Sequence, residues 1–180
     1  MNLLLAVGRL YVPSAIKKKK LRELFDVTAD AFQRETPLLE GYSFDQCLRQ
    51  YALFTRDQAE ESLRRGNDLE IKPRLYQGAY ALAQRLKKSF RIDRSEDALK
   101  MAKIVYKILK IEFESDQNGA VLIRRCFFSS FYSSQVCQVI SSLDEGLLEG
   151  LSGGSFRFSQ RITEGMESCR AHLSFGRSST

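Results

Sequence analysis

One histidine, His172, is all the imidazole this chain of 180 residues offers. That excludes His-rich zinc or iron sites and any mechanism that needs two imidazoles. Chemistry here must rest on Cys, carboxylates, Lys, Arg, Tyr or a bound cofactor. Tryptophan is absent, and with 3 Pro and 11 Gly the composition is neither collagen-like nor that of a disordered low-complexity chain. Long apolar runs are also missing. The segment from Met1 to Val7 is interrupted by Gly8 and Arg9, and the lysines Lys17 to Lys20 follow it rather than precede it. It is too short to span a bilayer and has the wrong charge order for an export signal. The four cysteines, Cys47, Cys126, Cys137 and Cys169, show no CxxC spacing, so neither a disulfide framework nor a zinc knuckle is indicated. The expectation is a cytoplasmic chain with reduced thiols.

What is present reads as an ordinary globular protein. Hydrophobic residues make up 43% and charged residues 28%, and the length suits a single domain that buries about 70% of its unfolded surface. The net charge of +6 favours acidic ligands, yet it lies within what solubility alone explains. Neither nucleic acid nor a membrane is an expected partner.

From Ser14 to Lys110 the periodicity is helical. Leu21, Leu24, Phe25, Thr28 and Phe32 form one apolar stripe, which Pro37 is expected to end. Ser43 and Gln46 make a capping box for a second helix carrying Cys47, Tyr51 and Phe54, closed by Gly66. A third helix is expected from near Pro73 to Phe90, since proline is tolerated in a first turn. Ser95 opens a fourth, with Leu99, Met101, Ala102, Val105, Ile108 and Leu109 facing inward.

The period then changes. Residues 110 to 128 alternate about the turn Asp116-Gln117-Asn118-Gly119 and predict a hairpin. A polar link from Ser129 to Ser134 leads to a fifth helix, Ser134 to Leu151, broken by Gly153-Gly154. A second hairpin follows, with its turn at Thr163 to Met166, and a frayed tail from Gly176. The expected class is α+β: a helical part over 14–110 and an antiparallel β-β-α-β-β part over 110–175 within one domain of residues 1–180.

Strand alternation places Cys169 with Ala171, Leu173 and Phe175 on the inner face and His172 with Arg170 on the outer one. A nucleophile pair of Cys169 and His172 is therefore disfavoured. On the fifth helix Cys137, Ser141 and Asp144 follow i, i+4, i+7 beside the core stripe. Asp144 at that boundary is an acid or base with a pKa raised by burial, a metal ligand, or a hydrogen-bonded anchor. Cys126, Cys137 and Cys169 come from separate elements that can converge on one pocket. Each is also explained as a small buried hydrophobe. Arg124, Arg125, Arg157, Arg161 and Arg170 fall on or beside the strands, where guanidinium pairs suit a carboxylate. A small anionic molecule is the ligand this favours.

Taken together, Cys126, Cys137, Asp144, Phe158, Arg161, Thr163, Gly165 and Cys169 resemble the C-terminal signature of the L-2-amino-thiazoline-4-carboxylic acid hydrolase family. The resemblance spans about residues 120 to 175. It implies hydrolysis of a cyclic amidine-like C–N bond in a small carboxylic acid, with Cys126 or Cys169 as nucleophile or metal ligand and Asp144 as base. Arg161 would clamp the substrate carboxylate, with Cys137 beside it in the substrate site; the identity of any metal or cofactor stays open. The same ending is similar to four-vinyl-reductase-type sensor domains, which implies instead a pocket that binds a small apolar or amphipathic ligand without chemistry. Oligomeric state is likewise open, with the apolar segment 1–12 a candidate for packing on a second copy.

Overall fold

The computed structural model describes residues 12–116 and 118–176. The expectations placed on residues 1–11, on Gln117 and on residues 177–180 lie outside the described residues. Among the described residues five helices and four strands follow one another: α1 Ser14–Ala31, α2 Phe44–Arg65, α3 Asp68–Phe90, α4 Ser95–Ile108, β1 Ile111–Ser115, β2 Ala120–Cys126, α5 Ser134–Ser152, β3 Phe156–Gln160 and β4 Cys169–Leu173. The strands form one antiparallel sheet in the order β1-β2-β4-β3, so the two hairpins are joined through β2 and β4. The chain is therefore α+β, with its helices mostly N-terminal. No helix among the described residues is long and apolar enough to cross a membrane.

Local sequence explains most element ends. Ser43 Oγ accepts from Gln46 N–H while Gln46 returns the bond to Ser43 N–H, and Gly66 closes α2 in the left-handed conformation at φ 69°. Helix α1, however, stops at Ala31, six residues before Pro37, because Gln33 turns the chain at φ 57°. Helix α3 begins at Asp68 and not near Pro73. Asp68 and Glu70 suit the positive end of the helix dipole, and Pro73 then sits in the second turn, where it forgoes one intrahelical bond. The link after β2 is less polar than its serines suggested. Phe127–Ser130 is a 3-10 turn, and Phe128 and Tyr132 are buried.

An aromatic ladder ties this link to the helices. Phe25 meets Tyr51 edge-on at 5.1 Å, Tyr51 meets Phe128 at 5.9 Å, and Phe128 stacks on Tyr132 at 5.6 Å. The buried hydroxyls are satisfied within it, Tyr51 by Thr28 and Tyr132 by Thr55.

Helices α3 and α5 make the most extensive helix contact of the fold. Gly146 and Gly150, one turn apart, allow it: a Cβ on Gly146 would lie 2.2 Å from the Tyr76 carbonyl oxygen, and one on Gly150 would lie 2.6 Å from the Ala83 side chain. Between them on α5, the buried Glu149 accepts from Tyr76 Oη at 2.7 Å, from Phe156 N–H at 2.9 Å and from Arg157 Nη1 at 3.0 Å. One carboxylate thus joins α3, α5 and β3.

Helix α4 is rotated from its expected stripe. Ile104 and Tyr106 are buried, whereas Leu99, Val105 and Leu109 are half-buried. For Val105 and Leu109 the reason is physical: both face a cavity rather than packed side chains.

Candidate functional site

That cavity has a volume of about 550 Å³ and is bounded by α1, α3, α4, α5, β4 and the segments that follow β2 and β3. Most of its wall is aliphatic: Leu21 and Leu24 from α1, Leu82 and Leu86 from α3, Met101, Ile104, Val105 and Ile108 from α4, and Ile140, Leu143 and Leu147 from α5. Its size lies within the range of ordinary small-molecule sites. Polar side chains come from the Lys20–Glu23 pair of α1, from Ser141 and Asp144 of α5, from Ser129 and Thr163, and from the thiols of Cys126, Cys137 and Cys169.

The i, i+4, i+7 spacing brings Cys137, Ser141 and Asp144 to one wall of α5, and the inward side of β4 brings Cys169 to the same cavity. Cys126 arrives from the end of β2. His172 is exposed on the opposite face of β4, paired with Arg157 of β3. Cys47 is buried away from this wall, and all four cysteines are free. Among the described residues no group of three or more His, Cys, Asp or Glu is placed to hold a metal ion.

Asp144 Oδ1 accepts from the Tyr106 hydroxyl at 2.7 Å. Burial pushes its carboxyl up from 3.8 to about 6, an effect opposed by the Tyr106 bond and the more distant Arg161 and reinforced by Glu145. Tyr106, stacked on Phe113 at 4.5 Å, is the residue that sequence reasoning missed here. Its signal was present, because Ala98, Ala102 and Tyr106 are spaced i, i+4, i+8 along one buried face.

A pH prediction follows from Asp144. The folded carboxyl holds its proton more tightly than the unfolded one, so this group's contribution is most favourable below about pH 4 and is lost as pH rises through about 6. The difference amounts to about 3 kcal/mol. Asp144→Asn, which keeps an acceptor for Tyr106, should lack this slope. Its stability relative to the parent, followed by urea unfolding, should improve by about that amount between pH 4 and pH 7.5; a constant difference would contradict it.

The thiols are poor nucleophiles in this setting. Burial pushes Cys126 up to about 12, against partial relief from the N–H groups of Phe128 and Ser129. Burial likewise pushes Cys137 up to about 11 and raises Cys169, whose sulfur accepts from Ile162 N–H at 3.3 Å. At neutral pH alkylation of Cys126 and Cys137 in the folded protein by iodoacetamide should therefore run on the order of 100-fold slower than that of an unperturbed cysteine, and that of Cys169 should also be slowed. A fast-reacting thiol assigned to Cys126, Cys137 or Cys169 by peptide mapping would contradict this.

Arg161 is adjacent to the site but does not line the cavity. Its Nη1 reaches Glu164 at 3.4 Å, its Nη2 donates to Ser141 Oγ at 3.3 Å, and its guanidinium lies over the Phe158 ring at 4.7 Å. Glu164 also accepts from the Arg161 N–H, closing a cap on the turn after β3. The buried Arg161 Nε and Thr163 Oγ1 form no hydrogen bond of ordinary geometry, although Thr163 lies close enough to ease the Cys137 thiol. Of the other arginines read as ligand pairs, three hold protein carboxylates, Arg124 with Glu114, Arg125 with Glu112, and Arg157 with Glu145 and Glu149, while Arg170 is exposed and does not line the cavity.

Set beside known proteins, the chain stands without a match: no family model, no curated protein and no solved structure matches it.

Proposed function

We propose that this chain is a binding domain for a small apolar or amphipathic molecule held in the cavity between the helices and the sheet. The observation that carries this reading is the wall itself, aliphatic over the faces of four helices, with its polar groups few: a mutually paired Lys20 and Glu23 on α1 and a group on α5 and the segments beside the strands. A wall of that composition stabilises a ligand by removing apolar surface from water. The polar groups then orient it. Four free thiols suit a reducing compartment such as the cytoplasm. Titration with the neutral fluorophore N-phenyl-1-naphthylamine tests the reading: saturable binding at one site per chain with blue-shifted emission is expected, and its absence would overturn it.

A second reading, hydrolysis of a cyclic amidine such as 2-amino-thiazoline-4-carboxylate, is favoured by Asp144. A carboxylate at about 6 inside a cavity can take a proton from an attacking water at neutral pH. In that reading Cys126 or Cys169 attacks or orients, Arg161 holds the substrate carboxylate, and Cys137 completes the site. Raised thiols and an arginine already engaged by Glu164 and Ser141 make it the weaker of the two. Ring opening by the parent protein and its loss in Asp144→Asn would reverse the order. No turnover alongside probe binding would leave a binding domain.

A further inference from the structure

The charges on the cavity wall point to the head group of the ligand. Among the described residues three charged side chains line the cavity: Lys20, Glu23 and Asp144. Lys20 and Glu23 neutralise one another in an ion pair of 2.7 Å. Asp144 has no such partner. Its Oδ1 accepts from Tyr106, and no described residue donates to Oδ2. The nearest guanidinium, Arg161, stands off the wall and is occupied by Glu164, Ser141 and the Phe158 ring. Asp144 is partly exposed on the cavity wall, so its Oδ2, which has no protein donor, is open to a donor that a ligand brings.

We propose that the cavity selects a cationic amphiphile, an apolar body bearing an amine that donates to Asp144 Oδ2, over a carboxylate of the same size. This inference rests on the binding-domain reading and deepens it. The carboxyl of Asp144, at about 6, is mainly ionised at neutral pH, and neighbouring Glu145 adds to the negative potential. A ligand carboxylate placed there would set like charges together in a medium that screens them poorly. An ammonium instead forms a charge-assisted hydrogen bond, among the stronger kinds. The body has room as well: from Cys137 to Leu147 the lining of α5 extends over about 15 Å at the helical rise.

Dodecylamine, dodecanol and dodecanoic acid share one chain and differ only in the head, so their competition against bound N-phenyl-1-naphthylamine near pH 7.5 tests the proposal. The amine should bind about 10-fold or more tighter than the alcohol, and the acid weakest of the three. In Asp144→Asn the ratio of amine to alcohol affinity should fall to near one. An acid that matches or exceeds the amine overturns the proposal while leaving the binding reading intact, as does an unchanged ratio in the variant. The parent series decides on its own if the variant does not fold. Failure of the fluorophore to bind the folded parent removes the binding reading and this inference with it.

Discussion

Replacing Gly146 by alanine is expected to destabilise the protein by about 3 kcal/mol, even though alanine is the better helix former by about 1 kcal/mol. The added methyl would lie 2.2 Å from the Tyr76 carbonyl oxygen, 2.9 Å from its carbon and 3.1 Å from Ala79 Cβ. Two of those three atoms are backbone, so no rotamer change relieves the clash. Helices α3 and α5 must separate along a contact whose two partners both line the cavity, α3 through Leu82 and Leu86 and α5 through Leu143 and Leu147. For a chain of this size the thermal midpoint should fall by about 6–12 °C. Calorimetry checks it. A midpoint equal to or above that of the parent would mean that the two helices are not held at this distance.

Glu149→Ala should cost about as much by a different route. It removes the acceptor of Phe156 N–H, of Tyr76 Oη and of Arg157. Phe156 is fully buried, so its N–H is left without water or partner, a loss of about 1–3 kcal/mol by itself. Tyr76 is half-buried and adds to it. Arg157 is 68% exposed and rehydrates, so its lost ion pair contributes little. A total of about 3 kcal/mol is expected. Glu149→Gln, whose amide oxygen still accepts from Phe156 N–H, should recover most of it. Equal losses in the two variants would show that charge rather than this hydrogen bond holds β3 to α5.

The order of elements was legible because the signals are local. Ser43 and Gln46 mark the start of α2, Gly66 and Gly153 mark the ends of α2 and α5, and strand alternation separates Cys169 from His172. Even the wall of Cys137, Ser141 and Asp144 follows from helical spacing alone. What escaped was set by contacts between elements. Pro73 drew the start of α3 too late, although Asn67-Asp68 and Glu70 carry the start signal. Val105 and Leu109 read as core because a pattern of apolar residues does not distinguish a packed face from one that lines a cavity. Gly146-x-x-x-Gly150 and Glu149 look unremarkable on a helix until Tyr76, Ala83 and Phe156 are brought against them. Arg161 was read as available to a ligand, yet Glu164 three residues on already had the spacing of a cap.

The central claim, that the cavity is a ligand site, is tested most directly by filling it. Val105 on α4 is half-buried and faces the cavity, so Val105→Trp projects an indole into that space without removing a packed core side chain. Binding of N-phenyl-1-naphthylamine should be followed in parent and variant, with far-ultraviolet circular dichroism confirming that both are folded. Saturable binding by the parent and a loss of about 10-fold or more in affinity in the variant are expected. Equal binding by the two folded proteins would place the fluorophore elsewhere and contradict the claim.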